Sequence, residues 1–387
     1  MIDIGSNSGR VMVARVMGAS HLDVLGAARS PLRLVRDVAK GGRLSSETID
    51  RTLRILRGFV AVANAARADR TVAVATSAVR EARNGEELIQ RVRDDLQVAV
   101  EIADGVQEAE FGFYGALHGL PIEHGIVLDV GGGSLQLVHF RGRKLERSWS
   151  LGLGALRLSD RFLKSDPPSR REMRALKQHV YASLEQAGVS PLLADERLVG
   201  TGGTVRNLAK VDRRQRGEYP ISRLHGYAVE RRRVDDASSA LSAQPYNERA
   251  RVPGLNADRA DSIVGGVLVV QAVMDRLLAP DLTVAGYGLR EGIALRSVSL
   301  QAASVAEVQG ASVAALGSRF ASWDAQRADR RVVLVERLLA AALPGLSAEV
   351  ALAATCAARL LDIGASIDYY RRNAHTARIV ADANLDG

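Results

Sequence analysis

Two short polar turns, each set between apolar stretches, recur along the chain. The first reads Asp-Ile-Gly-Ser-Asn-Ser from Asp3, the second reads Asp-Val-Gly-Gly-Gly-Ser from Asp129, and their starts lie 126 residues apart. Each runs into a further apolar segment, at 11–14 and 135–138. This pattern predicts two strands joined by a tight turn in each copy, where glycine permits close backbone approach. Two such modules indicate a duplicated α/β domain with both turns facing one cleft.

The remaining segments alternate between helical and extended patterns. Periodic apolar positions predict helices at 45–60, 86–96 and 263–278, and a helix after the Asp166–Ser169 break. β-rich runs predict strands at 71–76 and 98–102, and a strand that enters a glycine-rich turn over 197–204. From about Gln301 the chain is rich in Ala, Leu and Arg and helical throughout. We therefore expect domains at 1–121 and 122–300, followed by a helical segment at 301–387.

Charge and composition narrow the class of protein. Lys and Arg number 52 against 44 Asp and Glu, for a net charge of +8, and all but five of the basic residues are Arg. Such a field attracts polyanions, and the Arg guanidinium matches phosphate oxygens. Aromatic residues make up only 4%, so we expect no specific nucleic-acid partner.

No apolar run approaches the roughly 20 residues of a membrane span, no secretory signal opens the chain, and Cys356 has no intrachain disulfide partner. We expect a cytoplasmic protein.

Four glycine-bearing turns are candidate phosphate sites. Successive backbone N–H groups in such turns bind anions, and Ser and Thr hydroxyls add donors. The turns lie at 3–8, 129–134, 200–204 and 286–292. The sequence has neither the Gly-x-x-x-x-Gly-Lys-[Ser/Thr] P-loop nor the Gly-x-Gly-x-x-Gly dinucleotide fingerprint, and it has no His-Glu-x-x-His or paired Cys/His metal spacing.

Several charged residues have both a functional and a structural interpretation. Asp3 and Asp129 follow strand residues directly, so they either hold a hard cation such as Mg²⁺ beside phosphate oxygens or cap their own turns. Glu108 and Glu110 lie near a predicted helix start, where negative charge is favourable in any case. Arg80 follows a strand end, where it either reaches a phosphate or pairs with Glu81.

Seven motifs together resemble the exopolyphosphatase/guanosine-pentaphosphate phosphohydrolase (Ppx/GppA) family, which has the actin-like fold. In chain order over roughly 1–300 they are 3–8, 75–85, 129–134, 200–204, 252–255, 259–261 and 288–292. The resemblance implies an α/β fold with two duplicated RNase H-like (actin-like) domains around a cleft, followed by an all-α HD-like segment. Leu361-Asp362 stands where an HD hydrolase has His-Asp, which disfavours a metal site there. The third domain is expected to be incomplete at Gly387.

The resemblance also implies an activity, namely metal-dependent release of terminal phosphate from inorganic polyphosphate. Glu108 then activates the attacking water. Asp129, Asp3 and Gln136 fall at the site of Mg²⁺ or Mn²⁺. The implied phosphate- and substrate-binding residues are Ser6, Asn7, Ser8, Arg10, Arg80, Gly131, Gly132, Gly133, Ser134, Gly202, Gly203, Thr204 and Arg259. Two departures from the family pattern are Gln107 and Gln136, which stand where the family has Glu.

Three other functions stay open from the sequence. A phosphohydrolase of guanosine pentaphosphate shares every motif. A regulator of low activity that binds polyphosphate or guanosine tetra- or pentaphosphate is compatible with the two Gln substitutions. A sugar kinase or actin-like ATPase shares the fold, but segment 76–82 and Glu108 belong to the phosphatase branch. We expect a homodimer that covers an exposed apolar helix face.

Overall fold

The computed structural model describes residues 1–17, 21–217, 224–298, 304–383 and 385. These ranges form a mixed α/β structure with two sheets and many helices. The strands are β1 (Ile2–Ile4), β2 (Ser8–Met17), β3 (His21–Pro31), β4 (Ala73–Ala75), β5 (Val100–Ile102), β6 (His124–Val130), β7 (Leu135–Arg141), β8 (Lys144–Leu151), β9 (Arg197–Thr201), β10 (Ala228–Glu230) and β11 (Asp281–Val284).

The helices surround the two sheets and also form a separate group at the end of the chain. They are α1 (Leu34–Gly41), α2 (Ser46–Ala65), α3 (Ser77–Glu81), α4 (Gly85–Leu96), α5 (Gly105–Leu117), α6 (Ala155–Phe162), α7 (Arg170–Gln186), α8 (Gly202–Gln215), α9 (Arg231–Ser242), α10 (Tyr246–Arg249), α11 (Ile263–Leu277), α12 (Leu289–Val298), α13 (Val305–Ser318), α14 (Ala325–Ala342), α15 (Ala348–Leu360) and α16 (Arg372–Asp382), with 3₁₀ turns at Ala257–Arg259 and Ile363–Ser366. None of the helices in the described ranges is both long and apolar enough to cross a bilayer.

The two repeated turns occupy corresponding places in the two sheets. The first sheet has the order β3-β2-β1-β4-β5 and the second β10-β11-β9-β6-β7-β8. In the first, β1 is antiparallel to β2 and parallel to β4, and Asp3 is opposite Arg10. In the second, β6 is antiparallel to β7 and parallel to β9, and Asp129 is opposite Gln136. The predicted pair of strand–turn–strand modules is therefore confirmed.

Helices with apolar faces pack on both sheets, and their buried side chains form the hydrophobic cores together with those of the strands. α2 and α4 bury residues such as Leu53 and Leu88 against the first sheet. α11 is buried along almost its whole length in the core of the second sheet, which explains why its sequence is apolar on every side. α5 places Phe113 in a smaller cluster with Val138 and Phe140 of β7. The packing of α5 on the second sheet therefore helps to hold Glu108, which lies in the first turn of this helix.

Most of the predicted elements are confirmed, with one difference at 200–204. β9 ends at Thr201 and α8 begins at Gly202, so the strand enters the helix without a separate turn. Gly202 has φ +85, a conformation that favours glycine. The segment expected to be a turn is therefore a helix N-terminus, a feature that is also suited to bind an anion through its first N–H groups, and phosphate binding there stays a prediction.

The described residues divide into two compact units. One contains those within 1–15 and 24–302, and the other contains those within 16–23 and 303–387. Apart from the end of β2 and the start of β3, which fall within 16–23, both sheets belong to the first unit. The boundary predicted at 121/122 stays a prediction. The second unit contains α13 to α16, as expected for a helical segment, around a small core that includes Leu316 and Leu360. In it, the Asp362 carboxylate accepts a hydrogen bond from Arg331. The boundary expected at 300/301 lies outside the described residues.

Candidate active site

The two repeated turns lie against each other in the first unit. A Cβ added at Gly132 would come within 2.6 Å of Asn7 Cβ, and one at Gly133 within 2.9 Å of the Ser6 and Ser77 hydroxyls. The Ser6 and Ser77 Oγ atoms are 2.6 Å apart, and the Ala78 amide donates to Ser6 Oγ. Glycine at 132 and 133 is what allows this approach, so the expectation that both turns face one cleft is confirmed.

One cavity collects most of the predicted site residues from both sheets. It is lined by Ser6, Asn7, Ser8, Arg10, Gly131, Gly132, Ser134, Gly202, Gly203 and Arg259 of the predicted phosphate set, and by Asp3, Glu108, Asp129 and Gln136. Residues far apart in the sequence thus share one space. Their catalytic and binding roles remain predictions.

Three predicted residues, Gly133, Thr204 and Arg80, do not line the cavity. Gly133 packs under the first turn, as described above, and Thr204 is buried, with its hydroxyl donating to Val130 O at 3.3 Å. Arg80 donates to the backbone oxygen of Ala103 and, at 3.2 Å, to Glu108 Oε2. Arg80 therefore contacts the candidate base directly, while Glu81 pairs with Arg157.

Glu108 projects into the cavity from the first turn of α5. A capping box starts this helix, with the Asp104 carboxylate accepting from the Val106 and Gln107 amides. The Glu108 side chain is only 11% exposed. Burial raises its pKa to about 7, Arg80 acts in the opposite direction, and Asp129 and Asp3 raise the pKa further. A carboxylate with a pKa near neutrality is suited to accept a proton from water.

Gln107 and Gln136, the two departures from the family pattern, lie in different surroundings. Gln107 Oε1 accepts from the Asp104 amide at 2.9 Å and its amide donates to Glu101, so it completes the capping box. A Glu would make the same cap, and Gln107 does not line the cavity. Gln136 does line it, is buried, and donates to Ser134 Oγ at 2.8 Å.

Asp3 and Asp129 lie on the cavity floor at the ends of β1 and β6. Burial is the main cause that raises the pKa of Asp3 to about 6, and Asp129 adds to it against the opposing charge of Arg10. Burial likewise raises the pKa of Asp129. Asp3 Oδ1 is buried without a hydrogen-bond partner. An unpartnered carboxylate oxygen close to a second, half-buried carboxylate fits a hard divalent cation, which prefers one or two carboxylates plus phosphate oxygens.

No group of three or more His, Cys, Asp or Glu that could hold a metal occurs among the residues the structure describes.

Four arginines converge on the cavity. Arg10 and Arg259 are predicted residues, whereas Arg206 and Arg290 were missed. Burial and mutual repulsion lower the pKa of Arg10, and burial with repulsion by Arg29 and Arg206 lowers that of Arg259 to about 10. A Cβ at Gly203 would come within 2.2 Å of Arg259 Cζ, so the guanidinium lies flat on the start of α8. The four arginines share the cavity with the carboxylates of Asp3, Glu108, Asp129 and Glu291, and they supply guanidinium donors that suit phosphate oxygens.

The sequence provided only a weak indication of Arg206 and Arg290, the two cavity arginines that were not predicted. Arg290 stands inside the glycine-rich segment 286–292, and Arg206 lies two residues after Thr204, one helical turn into α8. Glu291 also lines the cavity, where Oε2 accepts from the Gly288 amide at 2.8 Å. Because the chain contains many Arg residues, the feature that distinguished Arg206 and Arg290 in the sequence was their position in or just after a glycine-rich segment.

A family model and similar curated proteins agree with the resemblance that the sequence motifs indicated. The model of the Ppx/GppA phosphatase family matches residues 12–301. Exopolyphosphatase 1 of Mycobacterium leprae (strain TN) is 30% identical over 315 residues, which cover 80% of this chain and 92% of that protein. Exopolyphosphatase 2 of Mycobacterium tuberculosis (strain ATCC 25618 / H37Rv) is 30% identical over 312 residues, covering 76% and 96%.

Solved structures show the same fold. The crystal structure of an exopolyphosphatase from Cytophaga hutchinsonii ATCC 33406 superposes with a TM-score of 0.71 at 25% identity, covering 77% of this chain and 98% of that one. The Ppx/GppA family member of Aquifex aeolicus gives a TM-score of 0.66 at 28% identity, covering 77% and 96%.

Proposed function

Because the chain belongs to the Ppx/GppA phosphatase family, whose members hydrolyse phosphoanhydride bonds, we propose that it is an exopolyphosphatase. It removes the terminal phosphate from inorganic polyphosphate. The observation that carries the proposal is Glu108, a nearly buried carboxylate with a raised pKa, in a cavity that four arginines line. The relatives named exopolyphosphatase support this substrate class.

The terminal phosphate binds between the two repeated turns. Its oxygens accept hydrogen bonds from backbone N–H groups of 5–8 and 132–134 and from the N-terminus of α8. Arg10 and Arg259 neutralise the charge of the terminal and adjoining phosphates. Phosphoryl transfer needs mainly positioning and charge neutralisation, and these are what turns and buried arginines supply.

Glu108 activates the attacking water. Its carboxylate accepts a proton from the water while the water oxygen forms a bond to the terminal phosphorus. The bond from that phosphorus to the bridging oxygen breaks, and the bridging oxygen keeps the electron pair as the new end of the shortened chain. Arg80 holds the Glu108 carboxylate in place through its 3.2 Å contact.

Asp3 and Asp129 are the residues that would hold a divalent cation. Such an ion, Mg²⁺ or Mn²⁺, supplies neutralisation of the phosphate oxygens when it is bound. Gln136, opposite Asp129, removes one negative charge relative to the family's Glu.

Glu108→Gln tests the proposal. We expect kcat for phosphate release from long-chain polyphosphate to fall about 10²- to 10⁴-fold, the usual contribution of a general base, with KM within a few-fold. The matched control is Glu110→Gln, which makes the same change two residues along α5, at a side chain that does not line the cavity. Unchanged turnover in Glu108→Gln would exclude this residue as the base.

The same assay, run in parallel with guanosine pentaphosphate and with and without Mg²⁺, decides the substrate. Release mainly from polyphosphate supports the proposal. Release mainly from the nucleotide would replace it by a guanosine pentaphosphate phosphohydrolase. Release from neither, with binding of either intact, would favour a regulator of low activity.

A further inference from the structure

A chain of buried side-chain hydrogen bonds joins the two repeated turns of the candidate active site. The Ser6 and Ser77 Oγ atoms are 2.6 Å apart, and Ser134 Oγ donates to Ser77 Oγ at 3.4 Å. Gln136 Nε2 in turn donates to Ser134 Oγ at 2.8 Å. All four residues are more than nine-tenths buried. Ser6 and Ser134 line the cavity and Ser77 does not, so the three hydroxyls form a chain with both ends at the cavity.

The hydrogen bonds within this chain use two of its three hydroxyl protons. A serine hydroxyl has one proton to donate and can accept two hydrogen bonds. N–H groups donate at both ends of the chain, the Ala78 amide to Ser6 Oγ at 3.1 Å and the Gln136 side chain to Ser134 Oγ. The two contacts between the hydroxyls take one proton each, in whichever direction the Ser6–Ser77 bond runs. The third proton is therefore available to an acceptor in the cavity.

Resting on the proposed function, which places a terminal phosphate in this cavity, we propose that Gln136 is a positioning residue for that phosphate. Because its amide donates to Ser134 and takes no proton from it, the hydroxyl chain keeps one proton for a phosphate oxygen. An ionised carboxylate at 136 would accept from Ser134 and so use that proton, since it has none of its own to donate. The amide at 136 thus makes the chain a donor toward phosphate, and this contact needs no divalent cation.

The test measures the affinity of the full-length protein for inorganic phosphate by titration calorimetry in EDTA at mildly alkaline pH. Gln136→Glu introduces the residue that the family has here, so we expect the variant to fold. It should weaken phosphate binding by more than about tenfold, because it removes a hydrogen bond to a charged group and adds a negative charge. Gln107→Glu is the matched control, since it makes the same change at a side chain that does not line the cavity, and its affinity should equal that of the wild type.

A second substitution separates the hydroxyl chain from the effect of charge. Adding Ser77→Ala to Gln136→Glu should regain about tenfold in affinity, the value of one charge-assisted hydrogen bond. Without the Ser77 hydroxyl the chain is broken, so Ser6 keeps its proton for phosphate although Ser134 donates to the introduced carboxylate. Loss of a hydroxyl that does not line the cavity would not restore binding that charge repulsion alone had weakened.

Three results would overturn the inference. They are a wild type that binds no phosphate in EDTA, an unchanged affinity in Gln136→Glu, and a double variant that binds no more tightly than Gln136→Glu alone. Failure of the proposed function is a different result, namely a wild type that binds phosphate but releases none from polyphosphate.

Discussion

The charge state of Glu108 depends on a balance between burial and one arginine. Burial disfavours the carboxylate and raises its pKa to about 7, whereas Arg80 stabilises the carboxylate and limits the rise. A group protonated below its pKa cannot accept a proton. Activity of the free enzyme should therefore appear as Glu108 ionises.

We predict that kcat/KM for polyphosphate rises with pH through about 7, and that Arg80→Gln moves the midpoint to higher pH. The sign follows because loss of the arginine removes a charge that favours the ionised form. The measurement is a pH–rate profile at constant ionic strength. Arg91→Gln is the control, since it removes the same charge from an exposed ion pair with Asp50. A midpoint that stays in place in Arg80→Gln would contradict this account.

At the scale of elements, the site depends on very close packing of α5 against α12. A Cβ at Gly115 would lie 2.0 Å from the oxygen of Gly288, and one at Gly292 would lie 1.8 Å from the oxygen of Phe111. The Arg296 guanidinium also lies over the Phe111 ring, 5.0 Å from its centre. Since α5 carries Glu108 and α12 carries Arg290, this contact sets the separation of the candidate base from the arginine cluster.

We predict that Gly115→Ala lowers the free energy of unfolding by about 3 kcal/mol or more and strongly reduces activity, because the added methyl group meets backbone that cannot move aside. The control is Gly58→Ala on the exposed side of α2, where a Cβ meets nothing within 4 Å. It should stabilise the protein by about 0.5–1 kcal/mol. Urea unfolding and turnover measure both effects, and equal behaviour of the two variants would contradict the packing argument.

Across the first unit, ion pairs connect the two sheet-bearing parts on either side of the cleft. Arg33 and Arg36 reach Asp261 at 3.2 and 3.1 Å, Arg36 also reaches Asp160, and Arg29 reaches Asp258. Most of these side chains are half-buried, and ion pairs that remain accessible to water contribute little to stability. Because these pairs join the two parts across the cleft, we expect them to favour a closed arrangement of the cleft over an open one.

We predict that Asp261→Asn raises KM for long-chain polyphosphate several-fold with a smaller change in kcat, because a lower closed population weakens apparent binding in proportion. Asp50→Asn, which breaks the exposed pair with Arg91, should leave both constants unchanged. Small-angle scattering without substrate should show a larger radius of gyration for Asp261→Asn than for the wild type. An unaltered KM would show that these pairs do not govern closure.

Much of the fold follows from local patterns. The repeat at Asp3 and Asp129 and the apolar helix 263–277 were predictable because strand alternation, glycine in tight turns and helical periodicity act within a few residues. Most predicted site residues lie next to those glycines, so motif position led to them. The HD-like character of the last segment stays a prediction.

The sequence by itself determined many of the secondary elements, the two repeated turns and the residue types that suit phosphate chemistry, but not the helix that begins at Gly202. Only the tertiary structure decided which of many arginines share the cavity, that Arg80 contacts Glu108 and not Glu81, and that Gln107 caps a helix while Gln136 faces the cavity. The physical reason is that pKa shifts and binding arise from burial and from charges that are close in space, and both depend on contacts between residues distant in the chain.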